Sequence, residues 1–361
     1  MRYVSTRGQA PAAGFVDAVL GGLAPDGGLY VPERWPQISA DEIAGFAARP
    51  YAEVAAQIIG AFAEGEIAAA DVADMCADAY ATFAHAAVVP LVQLEPGLFT
   101  AELFHGPSLA FKDVAMQLLA RLYDHLLAAQ GRSQTILCAT SGDTGGAAVE
   151  AFRGRKAVKV LALFPEGRIS EVQRRFMTTA TESNVACVAV KGSFDDCQAI
   201  VKAAFQDQSL RQAVDLSGVN SINFARIAAQ AVYYFTTAAA LGAPGRPVSF
   251  CVPSGNFGDA FAGYVASRMG LPIGRIVVAT NANDILAHTF ETVAREGTET
   301  ARAFEAFART GAIELPPQAF ATMRQLFRGV GVGEAETART MVATLNETGG
   351  TPRTARWCIV R

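Results

Sequence analysis

Hydrophobic and polar positions follow two different periods along this chain, and the change from one to the other falls near Pro90. From Asp41 to about Phe83 apolar residues recur at helical spacing in an alanine-rich stretch, with a turn marked ahead of them by Pro25-Asp-Gly-Gly28. Beyond Pro90, apolar runs of strand length alternate with helix-period segments. The runs predict strands at Thr135–Thr140, Val158–Phe164, Val185–Val190, Val248–Val252 and Ile276–Thr280. Between them the spacing predicts helices at Gly145–Phe152, Phe194–Gln206, Phe224–Leu241 and Phe257–Met269. This alternation belongs to βαβ units around a mostly parallel sheet. From Ala287 the pattern weakens: Thr289 to Phe327 reads as helices without a clear strand, and Thr351 to Arg361 shows neither period.

A length of 361 residues gives room for two domains or one large α/β unit. The expected division is a largely helical segment over 1–90, an α/β domain over 91–222, and a second α/β region over 223–361. With 51% hydrophobic and 18% charged residues the chain is globular, and a net charge of −4 favours neither nucleic acid nor an anionic membrane. The most apolar window, Ile227 to Ala243, contains Gln230, Thr236 and Thr237, so it reads as a buried helix rather than a membrane span. The N-terminus carries no apolar signal core. Six cysteines lie scattered with no C-x-x-C pair, which points to free thiols in a reducing, cytoplasmic setting and to no zinc site. No cluster of histidines and acids has metal-ligand spacing.

The chemistry is concentrated in three segments: Phe104-His-Gly-Pro-Ser-Leu-Ala-Phe-Lys112-Asp113, Thr140-Ser-Gly-Asp-Thr-Gly-Gly146 and Ser254-Gly-Asn-Phe-Gly-Asp259. Lys112 follows an apolar run where a loop gives way to a helix. Desolvation there lowers an amine's pKa and frees it to form a Schiff base. The other reading, a solvated lysine at a helix start, is disfavoured because a cation at that end opposes the helix dipole. In the turn around Gly255 and Gly258, the amides near Asn256 and Phe257 form a phosphate cradle at a helix N-terminus, or else an ordinary βα turn capped by Ser254. The turn with Ser141, Gly142, Asp143 and Thr144 offers a second anion cradle; alternatively Asp143 or Thr144 is a cap. Arg226, one turn into the segment that opens at Asn220, is either a phosphate clamp or an exposed arginine on a helix face. One lysine for an aldehyde and two glycine turns for anions are what pyridoxal phosphate requires.

These residues resemble the threonine synthases, in the fold-type-II group of pyridoxal-phosphate enzymes. The resemblance runs from Gly22-Leu-Ala-Pro-Asp-Gly-Gly-Leu-Tyr-Val-Pro32 through Glu102–Asp113, Ala139–Gly146, Gly192–Gln198, Asn220–Gln230 and Ser254–Asp259 to Asn281–Leu286. It implies two mostly parallel α/β domains with the cofactor in the cleft between them and a small helical segment in front. It further implies conversion of O-phospho-L-homoserine and water into L-threonine and phosphate, a carbon–oxygen lyase reaction. In that reading Lys112 holds the cofactor and shuttles protons, Asp143 faces the cofactor ring, and Ser254, Gly255, Asn256, Phe257 and Gly258 bind its phosphate. Ser141, Gly142, Thr144, Asn220 and Arg226 receive the substrate's anionic ends. Other outcomes of the same chemistry are a phospho-lyase on O-phosphohomoserine and a non-catalytic paralogue that binds the cofactor. Oligomeric state is left open. After Leu286 the chain departs from the family's later motifs, so the expectation is a second domain incomplete at its C-terminal end, with impaired or absent turnover. One choice of codons for Arg353–Val360 reads, in a neighbouring frame, as a string close to a family motif; resequencing tests that shifted frame.

Overall fold

The computed structural model describes residues 1–219, 223–254 and 257–279, together with the backbone of a strand at Trp357–Val360. The N-terminal part opens with β1 (Tyr3–Ser5), α1 (Phe15–Gly21) and β2 (Tyr30–Pro32), the two strands pairing antiparallel. The predicted helical stretch then breaks into α2 (Ala40–Gly45), a 3₁₀ turn at Phe46–Ala48, α3 (Tyr51–Phe62) and α4 (Ala69–Tyr80). Local chemistry places the breaks. Ser39 and Glu42 form a reciprocal cap on α2. Pro50 forces the preceding Arg49 out of helical conformation, and Gly65 turns left-handed between α3 and α4.

A hairpin follows, β3 (Leu91–Glu95) and β4 (Leu98–Ala101), turned by Pro96-Gly97. Next come α5 (Asp113–Ala129), β5 (Gln134–Ala139), α6 (Asp143–Phe152), β6 (Val158–Pro165), α7 (Glu171–Thr178) and β7 (Val185–Val190). The chain continues through α8 (Phe194–Gln206), α9 (Gln208–Val214), β8 (Leu216–Ser217) and α10 (Phe224–Ala240). It then forms β9 (Val248–Pro253), α11 (Gly258–Arg268), β10 (Ile273–Ala279) and β11 (Trp357–Val360). The predicted strands and helices between Thr135 and Ala279 all form, within a few residues of their expected ends.

Two main sheets result. One is wholly parallel with order β7-β6-β5-β8; the other has order β10-β9-β11-β4-β3, parallel except for β3. Sheet membership does not follow the expected division at 222, because β3 and β4 share a sheet with β9 and β10. The expectation that Thr351–Arg361 has no regular structure is corrected: β11 lies between β9 and β4, parallel to both. A run of four apolar residues is too short to show a period, so only pairing with distant strands reveals it. The expected helices over Thr289–Phe327 lie outside the described residues.

Helix α10 runs through the middle of the largest core cluster and is buried on nearly every side, as the apolar window predicts. That cluster joins the N-terminal helices to α5, α10 and α11. Among the described residues no helix is long and apolar enough to cross a membrane, and Cys76, Cys138, Cys197 and Cys251 are buried free thiols. Both glycine turns fall where parallel sheets hold ligands, beyond the carboxyl ends of strands: one between β5 and α6, the other between β9 and α11.

Candidate active site

Lys112 occupies the N-cap position of α5 and makes no cap hydrogen bond. Its side chain is 13% exposed, its amine lies 4.9 Å from the centroid of the Phe111 ring, and it pairs directly with the Asp143 carboxylate. Burial pushes the amine's pKa below its usual value, Asp143 pulls it back up, and the buried Arg226 guanidinium pushes it down again. For Asp143, burial works to raise the pKa. The Lys112 charge and hydrogen bonds from Lys112 and the Thr144 amide outweigh that, holding it below the usual carboxylate range.

The loop before Lys112 is fixed by a residue whose role the sequence did not disclose. Asp113 does not cap its helix. Its buried carboxylate turns back to accept from the Ser108 amide at 2.8 Å and the Ser108 hydroxyl at 2.6 Å. Burial pushes this carboxyl up to about 6, against hydrogen bonds that lower it. The folded state therefore holds its proton to a higher pH than the unfolded chain, and stability falls as pH rises between about 4 and 6. Asp259, likewise pushed up to about 6 by burial, acts in the same window. Asp113→Asn, which keeps an acceptor for the Ser108 amide, is expected to remove about 3 kcal/mol at most of that decline. Denaturant midpoints measured from pH 4 to 6.5 check it; an unaltered slope in the variant would overturn it.

The turn after β5 is pinned by Thr140, whose hydroxyl accepts from the amides of Gly142 at 2.9 Å and Gly145 at 2.8 Å. Thr140 stands two residues before the N-cap, outside the positions that capping rules inspect. Neither Asp143 nor Thr144 caps α6: its N-cap is Gly142, with no side-chain cap bond, and Ser141 is exposed. Asp143, 38% exposed, instead gives one oxygen to the Thr144 amide at 2.7 Å and the other to Lys112. Gly142 is required twice over. Its φ is +124°, and a Cβ there would sit 2.4 Å from Oε1 and 2.9 Å from Cβ of Gln173. Gly142→Ala is thus expected to cost roughly 1–3 kcal/mol. A thermal melt unchanged from wild type would show that the turn relaxes freely.

Arg226 is not an exposed helix-face arginine. It is 3% exposed, donates from Nη1 to the Val219 carbonyl at 2.9 Å, and among the described residues its Nε has no partner. Burial pushes its pKa down to about 10, countered by the Asp143 charge. Asn223 caps α10 by accepting from the Ala225 amide at 3.0 Å, and it ties the helix to α1 through the Val19 carbonyl at 2.8 Å. Asn220, Gly255 and Asn256 lie outside the described residues. Ser254 donates its amide to the Ala279 carbonyl at 3.0 Å, Phe257 is left-handed with φ +59°, and Gly258 begins α11.

The described residues suit pyridoxal phosphate on their own chemistry. A desolvated amine is positioned by a carboxylate, and a buried guanidinium keeps an unused donor for an anion. Residues 86–353 match the family described as pyridoxal-phosphate dependent enzymes, so the chain is of that class. Residues 2–80 match the threonine synthase N terminus. A threonine synthase of Pseudomonas aeruginosa is 45% identical over 97% of this chain and 81% of its own length. Those of Methylobacillus glycogenes and Schizosaccharomyces pombe are 46% and 43% identical, and the matches span 63% and 59% of their lengths. The crystal structure of a pyridoxal-phosphate-bound threonine synthase from Brucella melitensis superposes with a TM-score of 0.84 at 44% identity, covering all of this chain and 88% of that one. This chain belongs to the threonine synthase family, with the fold-type-II architecture.

Proposed function

We propose that this chain converts O-phospho-L-homoserine and water into L-threonine and phosphate, with Lys112 as its catalytic residue. The observation that carries this reading is the half-buried Lys112–Asp143 pair with the charge of the buried Arg226 beside it. Pyridoxal phosphate, when bound, supplies an aldehyde that condenses with amines and a ring that takes up the electrons left when a proton departs from the carbon beside nitrogen. Lys112 would hold the cofactor's aldehyde, and its free amine would move protons at the substrate's Cα, Cβ and Cγ. Asp143 holds the amine of Lys112 in place and faces the cofactor ring. Backbone amides from Ser254 to Gly258 receive the cofactor phosphate at the start of α11. Ser141, Gly142, Thr144, Asn220 and Arg226 take the carboxylate and phosphate of the substrate. Phosphate would leave from Cγ as a proton is taken from Cβ, Cγ would then gain a proton to become the methyl group, and water would add its hydroxyl at Cβ.

A cytoplasmic location is part of the same reading, supported by the buried free thiols. The deciding experiment gives the purified, cofactor-loaded protein O-phospho-L-homoserine and measures released phosphate together with the organic product. Threonine in step with phosphate is the expected result. A keto acid in its place would assign a phospho-lyase, and no phosphate from loaded protein would assign a non-catalytic paralogue. The same measurement decides the expectation of impaired turnover drawn from the departures after Leu286.

A further inference from the structure

Two tyrosines in the middle of α10 reach across to the start of α11, and nothing in the reaction just described uses them. Tyr234 donates to the Asp259 carbonyl at 2.9 Å and to Asp259 Oδ1 at 3.0 Å; Tyr233 donates to the same Oδ1. All three residues are buried. An acid in the first turn of a helix ordinarily faces its own unpaired amides or solvent. Asp259 instead turns inward, where among the described residues its carboxylate takes its hydrogen bonds from two phenols.

The ring of Tyr234 binds both flanks of the turn between β9 and α11. On the helix side it lies over Gly263, one turn beyond Asp259, where a Cβ would stand 2.7 Å from Cε1 and 2.9 Å from Cζ of the ring. On the strand side its centroid is 4.6 Å from that of Phe250 in β9. The neighbouring Tyr233 stacks on Tyr234 at 5.1 Å, and it stands two helical turns beyond Arg226 on the same side of α10. One helix therefore carries Arg226 at its first turn and, at its middle, the contacts that fix where α11 begins.

We propose that Tyr234, Tyr233 and Asp259 are positioning residues that hold the anion-binding start of α11 in register with Arg226, so that the cofactor's phosphate is gripped at a set distance from Lys112. A carboxylate buried near an anion's seat opposes the anion electrostatically; what it contributes is geometry. The proposal rests on the cofactor reading above and touches only the phosphate end of the ligand.

The test compares pyridoxal phosphate with pyridoxal, which has the aldehyde and ring but no phosphate. Each is titrated by the absorbance of the lysine-bound form on wild type, Asp259→Ala, Asp259→Asn and Tyr234→Phe. Asp259→Ala is expected to lower the preference for the phosphorylated ligand about tenfold, and Tyr234→Phe severalfold. Asp259→Asn, whose amide oxygen still accepts from both phenols, is expected to restore most of it. A purely structural role would lower the folded fraction and so weaken both ligands by the same factor, leaving their ratio unchanged. An unchanged ratio in Asp259→Ala, or in Tyr234→Phe where the alanine variant does not fold, overturns the proposal. Failure of the wild-type protein to take up pyridoxal phosphate on Lys112 would instead overturn the cofactor reading.

Discussion

Lys112→Ala is expected to reduce turnover at least ~1,000-fold while leaving the protein folded, because no second amine shares the position. Lysine is the one residue here able to hold an aldehyde and then move a proton at the same carbon. In wild type, borohydride reduction after loading should fix the adduct on the peptide that contains Lys112. The pair with Asp143 makes the direction of the pH effect explicit. Burial lowers the pKa of the Lys112 amine, so the neutral, nucleophilic form is reached at a lower pH than for a free lysine. Cofactor uptake should therefore rise with pH and level off below the range where ordinary lysines titrate. An adduct on Lys156, Lys159, Lys191 or Lys202 would sink the assignment.

Asp143→Ala is expected to keep the fold and to load cofactor, yet to lose roughly 100- to 10,000-fold in turnover. Among the described residues the carboxylate makes two hydrogen bonds, to Lys112 and to the Thr144 amide, and caps no helix. Its removal therefore costs the scaffold little. What it does remove is the opposite charge that keeps the Lys112 amine oriented and raises its pKa against burial. The variant's amine should load cofactor at a lower pH than wild type, a shift that absorbance titration reads independently of turnover. Loss of the folded state, rather than of turnover, would return Asp143 to a structural role.

The sequence disclosed the parts of this molecule whose period is strong and whose neighbours are local. Val185–Val190 and Phe194–Gln206 form with the predicted bounds, because each run of apolar residues ends at a turn or a capping residue such as Ser193. The hairpin of β3 and β4 has a legible turn in Pro96-Gly97, but its strands are too short, and β3 too exposed, to show a period. The burial of Arg226 was harder to read, since an isolated arginine on a helix usually faces water. The available sign was its surroundings: Ala225, Ile227, Ala228 and Ala229 provide no polar face for it to share. Asp113, which by sequence suffices to open its helix, and Thr140 act through contacts of a different kind. Capping rules look along one helix, whereas Asp113 turns back to a preceding loop and Thr140 pins a turn from its strand side. Tyr233 and Tyr234 read as core residues of an apolar helix, and core they are; their hydroxyl partners lie on another element.

Trp357 pairs with Leu98 and with Ser249, so the strand that joins the two halves of the second sheet is synthesised long after both of its neighbours. Until β11 arrives, β4 and β9 each present an open edge of unpaired amides and carbonyls, the kind of edge that recruits strands from other chains. On the ribosome, Lys112, Asp143 and Arg226 all emerge while that sheet is still open. Its closure depends on contacts of high sequence separation, which form slowly. The yield of native protein thus depends on how long the nascent chain waits for four residues, a matter of timing and chaperone access rather than of the chemistry those side chains perform.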